Sequence, residues 1–365
     1  MIRTLVADDS AIVRAMLCQV LSDSKNFEIT GTAENGKIAL ELARSLKPEL
    51  IIMDINMPIM NGIEATSRIK EIYDPAIVAF TTEDTAEVGY RCLEAGAVEV
   101  DQKPNLATMD RQKIEKFCEK LMVITESFRR HHSTSSSNRK QLFEDSSTYD
   151  ENEISEAGSH KDPKAELIDT AKKFSIVAIG ASTGGPVAVQ KVLSGLGKTF
   201  PLPVIITQHI DALFDRQFSK WLDSTTGMRV TTVCDGEILE KSHVYVAPSG
   251  CHFCIEATPN GQFRARLDYS EEIHFLRPAV DKMFSSCADQ AGSNTIAVLL
   301  TGMGTDGADG CRKIYEKCGY TIAESERTSV VFGMPKAAIE MKAINRVLDL
   351  EDISGQIKKL AGACC

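Results

Sequence analysis

Two runs of strand–helix alternation, held apart by a long polar stretch, constrain this chain more than any other feature. Residues 1–128 alternate: IRTLVAD, FEITGTA, ELIIMDI, AIVAFT and AVEVDQKP read as strands, with helical segments such as AIVRAMLCQVLSD and KIALELARSLK between them. DRQKIEKFCEKLMVITESF reads as the last helix of that block. Such βαβα order predicts a doubly wound, five-stranded parallel sheet covered by helices on both faces. Residues 129–170 are rich in Ser, His, Asp, Glu and Lys and nearly free of apolar periodicity. A stretch of that kind buries too little apolar surface to offset chain entropy, so it reads as a flexible linker. A second α/β block starts near Phe174, and inside it VTTVCDG, HVYVAPSG, HFCIEAT and FRARLD read as short strands of an antiparallel extension. The expected division is 1–125, 126–172 and 173–365.

Composition narrows the classes of function. The 365 residues suffice for two ordinary domains, and no apolar run is long enough to span a bilayer. The opening MIRTLVADDS has no apolar core of a secretory signal, so a cytoplasmic, non-inserted protein is expected. A net charge of -10 argues against a broad nucleic-acid-binding surface, and no basic helix-turn-helix pattern follows the linker. The eleven cysteines are scattered. Cys251 and Cys254 form a CxxC within strand-like sequence, with no second pair at metal-site spacing, which disfavours a metal or redox role. The Cys364-Cys365 pair suggests no mechanism.

The carboxyl ends of strands in a doubly wound sheet meet at one edge, where ligands bind. Asp8 and Asp9 follow the first strand, Asp54 the third, Thr81 the fourth and Lys103 the fifth. Three converging carboxylates repel one another unless a cation sits among them, and hard oxygen donors suit Mg²⁺. A carboxylate beside Mg²⁺ can take a phosphoryl group, with Lys103 and Thr81 placed to hold its oxygens. With DDS, MDINMPIMNG, the Thr81 turn and QKP, residues 1–125 resemble a response-regulator receiver domain. The resemblance implies that Asp54 is the phosphoacceptor, that Asp8, Asp9, Asp54 and the Asn56 carbonyl hold the metal, and that a histidine kinase is the phosphodonor. Val100 stands at a position often aromatic in receivers, and Thr81 is followed by Thr82 and the acidic pair Glu83-Asp84.

In the second block, Gly180-Ala181-Ser182-Thr183-Gly184-Gly185-Pro186 lies between a strand and a helix. It matches G-x-S-x-G, the sharp turn that exposes a nucleophilic serine at a sheet edge. A serine nucleophile needs a base and an orienting acid. His209 ends the next strand, PLPVIITQH, and Asp306 follows the strand TIAVLL, so three strand ends bring Ser182, His209 and Asp306 to one edge. Backbone N–H groups at Thr183 or Met303 are candidates for the oxyanion site. A competing reading exists: Gly302–Gly307 is itself G-x-G-x-x-G, and Glu324 ends the following strand as a ribose-binding acid would. That reading leaves GASTGG and QH without a role and puts Asp306 against a pyrophosphate.

GASTGGP, TQH, DGE, VYVAPSGCH, LRPAVDKMF, TGMGTDGADG and TSVVFGMPKAA, in this order, resemble the catalytic domain of the chemotaxis protein-glutamate methylesterases. The resemblance implies hydrolysis of γ-glutamyl methyl esters on the cytoplasmic helices of chemotaxis receptors, and deamidation of glutamines there, with Ser182, His209 and Asp306 as the triad and no cofactor for the esterase step. Departures are IDALFDRQF where Met-Pro usually follows the histidine, Thr305 before Asp306, and AESERTSVV without a Gln-Asp opening. On this reading the unphosphorylated receiver is expected to cover the Ser182 edge. The alternative class is a receiver joined to a module that only binds partners.

Overall fold

The computed structural model describes residues 1–81, 86–106, 108–141, 173–212 and 214–362. Most of the stretch expected as a linker over 126–172 lies outside these residues, as do Thr82, Glu83-Asp84 and Cys364-Cys365.

In the first block, β1 (Ile2–Ala7), β2 (Phe27–Ala33), β3 (Leu50–Asp54), β4 (Ala76–Thr81) and β5 (Glu99–Gln102) form one sheet in the order β2-β1-β3-β4-β5. Every pairing in it is parallel. Strands covered on both faces need apolar residues at every position, which explains the unbroken run LIIMD in β3, buried throughout. The crossovers are α1 (Ala11–Asp23), α2 (Gly36–Leu46), α3 (Gly62–Lys70) and α4 (Ala86–Glu94). Asn35 and Asn61 start α2 and α3 by accepting the N–H groups of Ile38 (3.0 Å) and Glu64 (2.9 Å). The closing helix α5 spans Arg111–Gln141, so it continues past residue 125.

The second block is built on β6 (Ile176–Ala181), β7 (Val204–Gln208), β8 (Arg229–Thr232), β9 (His243–Val246), β12 (Thr295–Leu299), β13 (Tyr320–Glu324) and β14 (Arg346–Leu348). These run parallel in the order β14-β13-β12-β6-β7-β9-β8. Around the sheet lie α6 (Gly185–Leu196), α7 (Asp215–Thr226), α8 (Val280–Gln290), α9 (Ala308–Glu316), α10 (Met334–Glu340) and α11 (Leu350–Leu360). Among the strands of the described residues, β10 (His252–Ala257) and β11 (Phe263–Asp268) are the one pair that runs antiparallel. The antiparallel extension is therefore narrower than the four short strands of sequence suggest. Four-residue segments give no periodicity that separates parallel from antiparallel pairing. β8 and β9 instead close one end of the parallel sheet, with β8 at its edge.

The two blocks pack on each other. Tyr90 of α4 stacks on Trp221 of α7, with ring centroids 5.1 Å apart, and on Phe218 at 5.9 Å. The Tyr90 hydroxyl donates to the Phe214 carbonyl (3.1 Å), and Trp221 Nε1 donates to Glu94 (2.9 Å). Aromatic rings give large apolar area at a fixed geometry, and their polar atoms here find partners across the boundary. Trp221 is the only tryptophan of the chain, so its fluorescence reports this contact. Tyr90→Ala is expected to shift Trp221 emission to longer wavelength while far-UV circular dichroism stays unchanged. An unshifted emission would contradict the packing.

Candidate active site

The esterase candidate is assembled at the carboxyl edge of three adjacent strands. Parallel register pairs Ala181 of β6 with Gln208 of β7, so Ser182 and His209 leave their strands side by side. The His209 N–H donates to the Ala181 carbonyl (3.0 Å), and the Ser182 N–H donates to the Thr301 carbonyl just past β12 (3.0 Å). The Gln208 amide locks the turn by donating to the carbonyls of Ser182 (2.8 Å) and His209 (2.9 Å). Two glycines allow this closeness. A Cβ at Gly302 would lie 2.7 Å from Ser182 Cβ and 2.3 Å from Met334 Sδ. Gly184 adopts φ 74°, the left-handed region, with Val330 2.5 Å from where its Cβ would be.

Asp306 meets His209 as sequence predicts: His209 Nε2 lies 2.8 Å from Asp306 Oδ2. The same carboxylate accepts the N–H groups of Val280 (2.7 Å) and Asp281 (2.9 Å) at the start of α8. A helix amino terminus is a favourable seat for an anion. Burial pushes the Asp306 carboxyl up, but His209 and these two N–H groups outweigh it and hold the carboxyl below its ordinary range. Asp306 therefore stays ionised, the form that accepts the Nε2 proton. That fixes the tautomer and leaves Nδ1 with its lone pair.

Ser182, Thr183, His209 and Met303 line one cavity of about 440 Å³. Among the described residues, neither the Thr183 nor the Met303 N–H is hydrogen-bonded, which suits them as oxyanion donors. The other described histidine side chains are engaged elsewhere. His252 is fully buried, accepting from the Ala279 N–H and bonded to the Glu271 carbonyl. His243 bonds the Thr231 hydroxyl, and His274 faces Asp281 at 3.5 Å. Cys251 and Cys254 are buried free thiols, and burial raises both. A raised thiol is a poor nucleophile or metal ligand.

Glu324 has a structural task in place of the ribose contact considered above. It is fully buried, and its Oε2 accepts the Thr301 N–H (2.8 Å). The Thr301 hydroxyl in turn donates to the Thr183 carbonyl (2.9 Å) and accepts from the Val331 N–H (2.9 Å). Gln208, Thr301 and Glu324 thus shape the Ser182 turn. The first two lie inside the sequence segments TQH and TGMGTDG, but nothing in spacing separates them from ordinary strand-end residues.

In the first block, carboxylate oxygens of Asp8, Asp9 and Asp54 all lie within 4.8 Å of one another. Lys103 Nζ sits 2.6 Å from Asp8 and 3.0 Å from Asp54. Thr81 is buried at the end of β4, and its carbonyl accepts the Lys103 N–H (2.8 Å). Asn56 lies two residues beyond Asp54 in the same strand-end loop. Burial pushes Asp54 up to about 6; Lys103 pulls it down, and the charges of Asp8 and Asp9 add to the rise. A set of hard oxygens in mutual repulsion fits a Mg²⁺ ion.

Comparison with known proteins assigns both blocks. Residues 177–357 match the family model for the CheB methylesterase, and residues 4–115 match that for the response regulator receiver domain. The chain belongs to the CheB methylesterase family. A protein-glutamate methylesterase/protein-glutamine glutaminase from Methanococcus maripaludis is 35% identical over 99% of this chain and 98% of its own length. One from Syntrophus aciditrophicus is also 35% identical, over 100% and 99%. The Thermotoga maritima CheB methylesterase catalytic domain superposes with a TM-score of 0.50 at 40% identity, covering 52% of this chain and 99% of that one. Among the described residues no helix is long and apolar enough to cross a membrane.

Burial pushes Glu324 from an ordinary 4.5 up to about 7, with the Thr301 N–H pulling it back. Its contribution to stability is present below pH 4.5 and is lost as pH rises through about 7, because a buried charge must then form. Glu324→Gln is expected to remove that loss. Its gain over the parent chain should grow between pH 5 and pH 8, to at most about 3 kcal/mol in urea unfolding. A constant difference across that range would contradict the assignment.

Proposed function

We propose that this enzyme hydrolyses γ-glutamyl methyl esters on the cytoplasmic helices of chemotaxis receptors, and deamidates glutamines there, under control of phosphorylation at Asp54. The observation that carries the reading is the 2.8 Å His209–Asp306 contact at the wall of the cavity that Ser182 also lines. Because Nε2 is held by Asp306, the base is His209 Nδ1. Ser182 Oγ attacks the side-chain carbonyl and its proton passes to Nδ1. The oxyanion forms against the Thr183 and Met303 N–H groups. His209 returns the proton to the departing methoxide, or to the amide nitrogen when glutamine is the substrate. Water then cleaves the acyl-enzyme with the same base. Asp306 stays ionised and stabilises the imidazolium of each step.

At the receiver edge, Asp8, Asp9, Asp54 and the Asn56 carbonyl would hold Mg²⁺, which would supply positive charge to offset the repulsion of the carboxylates and of an incoming phosphoryl group. Asp54 is the nucleophile toward the phosphoryl group of a histidine kinase. Lys103 and Thr81 hold the transferred oxygens. The packing of α4 on α7 supports a receiver that restricts entry to the cavity until phosphorylation shifts the docked population.

Methanol release from methylated receptor membranes tests the esterase step. Ser182→Ala should abolish it with the fold intact; retained turnover would remove Ser182 from the nucleophile role. Asp306→Asn, which loses the acceptor for Nε2–H, should lower kcat by about 10⁴-fold. For the receiver, Asp54→Ala should keep the basal rate and lose stimulation by a small-molecule phosphodonor. Stimulation equal to that of the parent chain would place the phosphoacceptor elsewhere.

A further inference from the structure

Three metal-ligating side chains meet on the flank of the second block, away from the Ser182 edge. His274, Asp281 and Asp309 each offer a ligand atom, and these atoms lie within 4.8 Å of one another. They come from three separate elements: Asp281 from α8, Asp309 from α9 and His274 from the loop that joins β11 to α8. All three line a cavity of about 460 Å³ that shares no lining residue with the one at Ser182. We propose that His274, Asp281 and Asp309 form a Zn²⁺ site that ties the wall of the esterase cleft to α8 and α9.

The spacing of the donors suits a metal better than an ion pair. His274 Nε2 stands 3.5 Å from Asp281 Oδ2. A charged hydrogen bond would bring the two atoms to roughly 2.8 Å. Two ligands of a tetrahedral zinc, each roughly 2.1 Å from the ion, stand about 3.4 Å apart. One imidazole nitrogen and two carboxylate oxygens, with water in the fourth position, are donors that zinc accepts.

Asp281 is only 6% exposed, so its carboxylate has little access to water. Oδ1 accepts the Gly310 N–H (2.7 Å). No N–H or hydroxyl among the described residues donates to Oδ2, which faces His274. Burial pushes this carboxyl up, and the charges of Asp306 and Asp309 push the same way. The lysines of the cavity are engaged elsewhere: Lys313 donates to Ser285 (3.0 Å), and Lys282 pairs with Asp268 (3.0 Å). A buried carboxylate oxygen without a donor, set between two like charges, is what a bound cation relieves.

His274 is presented by a two-residue turn, which Ile273 and Leu276 close by exchanging hydrogen bonds of 3.1 and 2.9 Å. His274 and Phe275 adopt φ of 54° and 64°, where a turn of this kind favours asparagine and glycine. Turn chemistry alone gives no reason for a histidine there. Leu276, Arg277 and Pro278, which follow directly, wall the cavity that Ser182 lines. Asp281 donates its own N–H to the triad candidate Asp306 (2.9 Å). A cation on His274 and Asp281 therefore joins the cleft wall to the seat of that acid.

The test is calorimetric titration of the full chain with zinc alone, in an Asp54→Ala background that removes one carboxylate of the receiver set. His274→Ala and Asp309→Asn change exposed side chains, so the fold is kept, and each should weaken binding at least about tenfold. Zinc should slow hydrogen exchange at the Ile273 and Leu276 amides of the Asp54→Ala chain and leave both unchanged when either variant is added. His274→Cys should keep a site, and Co²⁺ bound there should show thiolate-to-metal charge-transfer absorption that the His274→Ala chain lacks. Zinc affinity equal in all these chains would overturn the proposal, as would failure of the Asp54→Ala chain to bind zinc. Turn amides that zinc leaves unprotected, or Co²⁺ bound without the thiolate band, would overturn it too.

Discussion

The esterase edge depends on one peptide unit, that of Thr301. Its carbonyl accepts the Ser182 N–H and its own N–H donates to Glu324. Its hydroxyl joins the Thr183 carbonyl to the Val331 N–H. The loop that follows carries Met303 and Asp306, so one residue sets the spacing between the Ser182 turn, Met303 and Asp306. A triad tolerates errors of only a fraction of an ångström. Strand-end loops are the least constrained parts of a parallel sheet. Anchoring this loop to a buried acid on the next strand gives it the rigidity that its backbone alone lacks.

Four carboxyl groups, Asp54, Glu99, Asp281 and Glu324, are raised by burial. Asp306 is buried as well, yet is held ionised by His209 and two helix N–H groups. The difference lies in the number of donors, not in depth. Asp306 accepts two backbone N–H groups and faces an imidazole, whereas Glu324 accepts one N–H and leaves Oε1 without a partner among the described residues. Donors aimed at a carboxylate offset the cost of removing it from water; without them the proton does so.

Ser182, His209 and Asp306 were legible from sequence because each closes an apolar strand of a parallel sheet, and the carboxyl ends of such strands share an edge whatever the strand order. Asp8, Asp9, Asp54 and Lys103 were legible for the same reason. The neighbourhood of Glu99 was not. AVEVDQKP fixes a strand but says nothing about which surface packs against it, and the contact with Gly184 spans 85 residues of sequence. Tyr90 and Trp221 are likewise ordinary amphipathic positions until two helices from separate blocks meet. The short β8 and β9 resemble β10 and β11 in composition, and only the register of the whole sheet separates them.

That contrast explains how two similar sheets can be coupled. Each block concentrates its charged groups at the carboxyl edge of its strands, but the receiver docks through α4 and the amino end of β5, which sets Glu99 against the Ser182 turn. Aromatic packing of Tyr90 on Trp221 gives the contact its apolar part. The marginal element is the Glu99–Gly184 bond, which sets a partly compensated carboxylate against the nucleophile turn. A contact composed of a strong apolar part and a weak polar part near balance can be tipped by a change of about 1–3 kcal/mol, the scale on which coupling between sites operates.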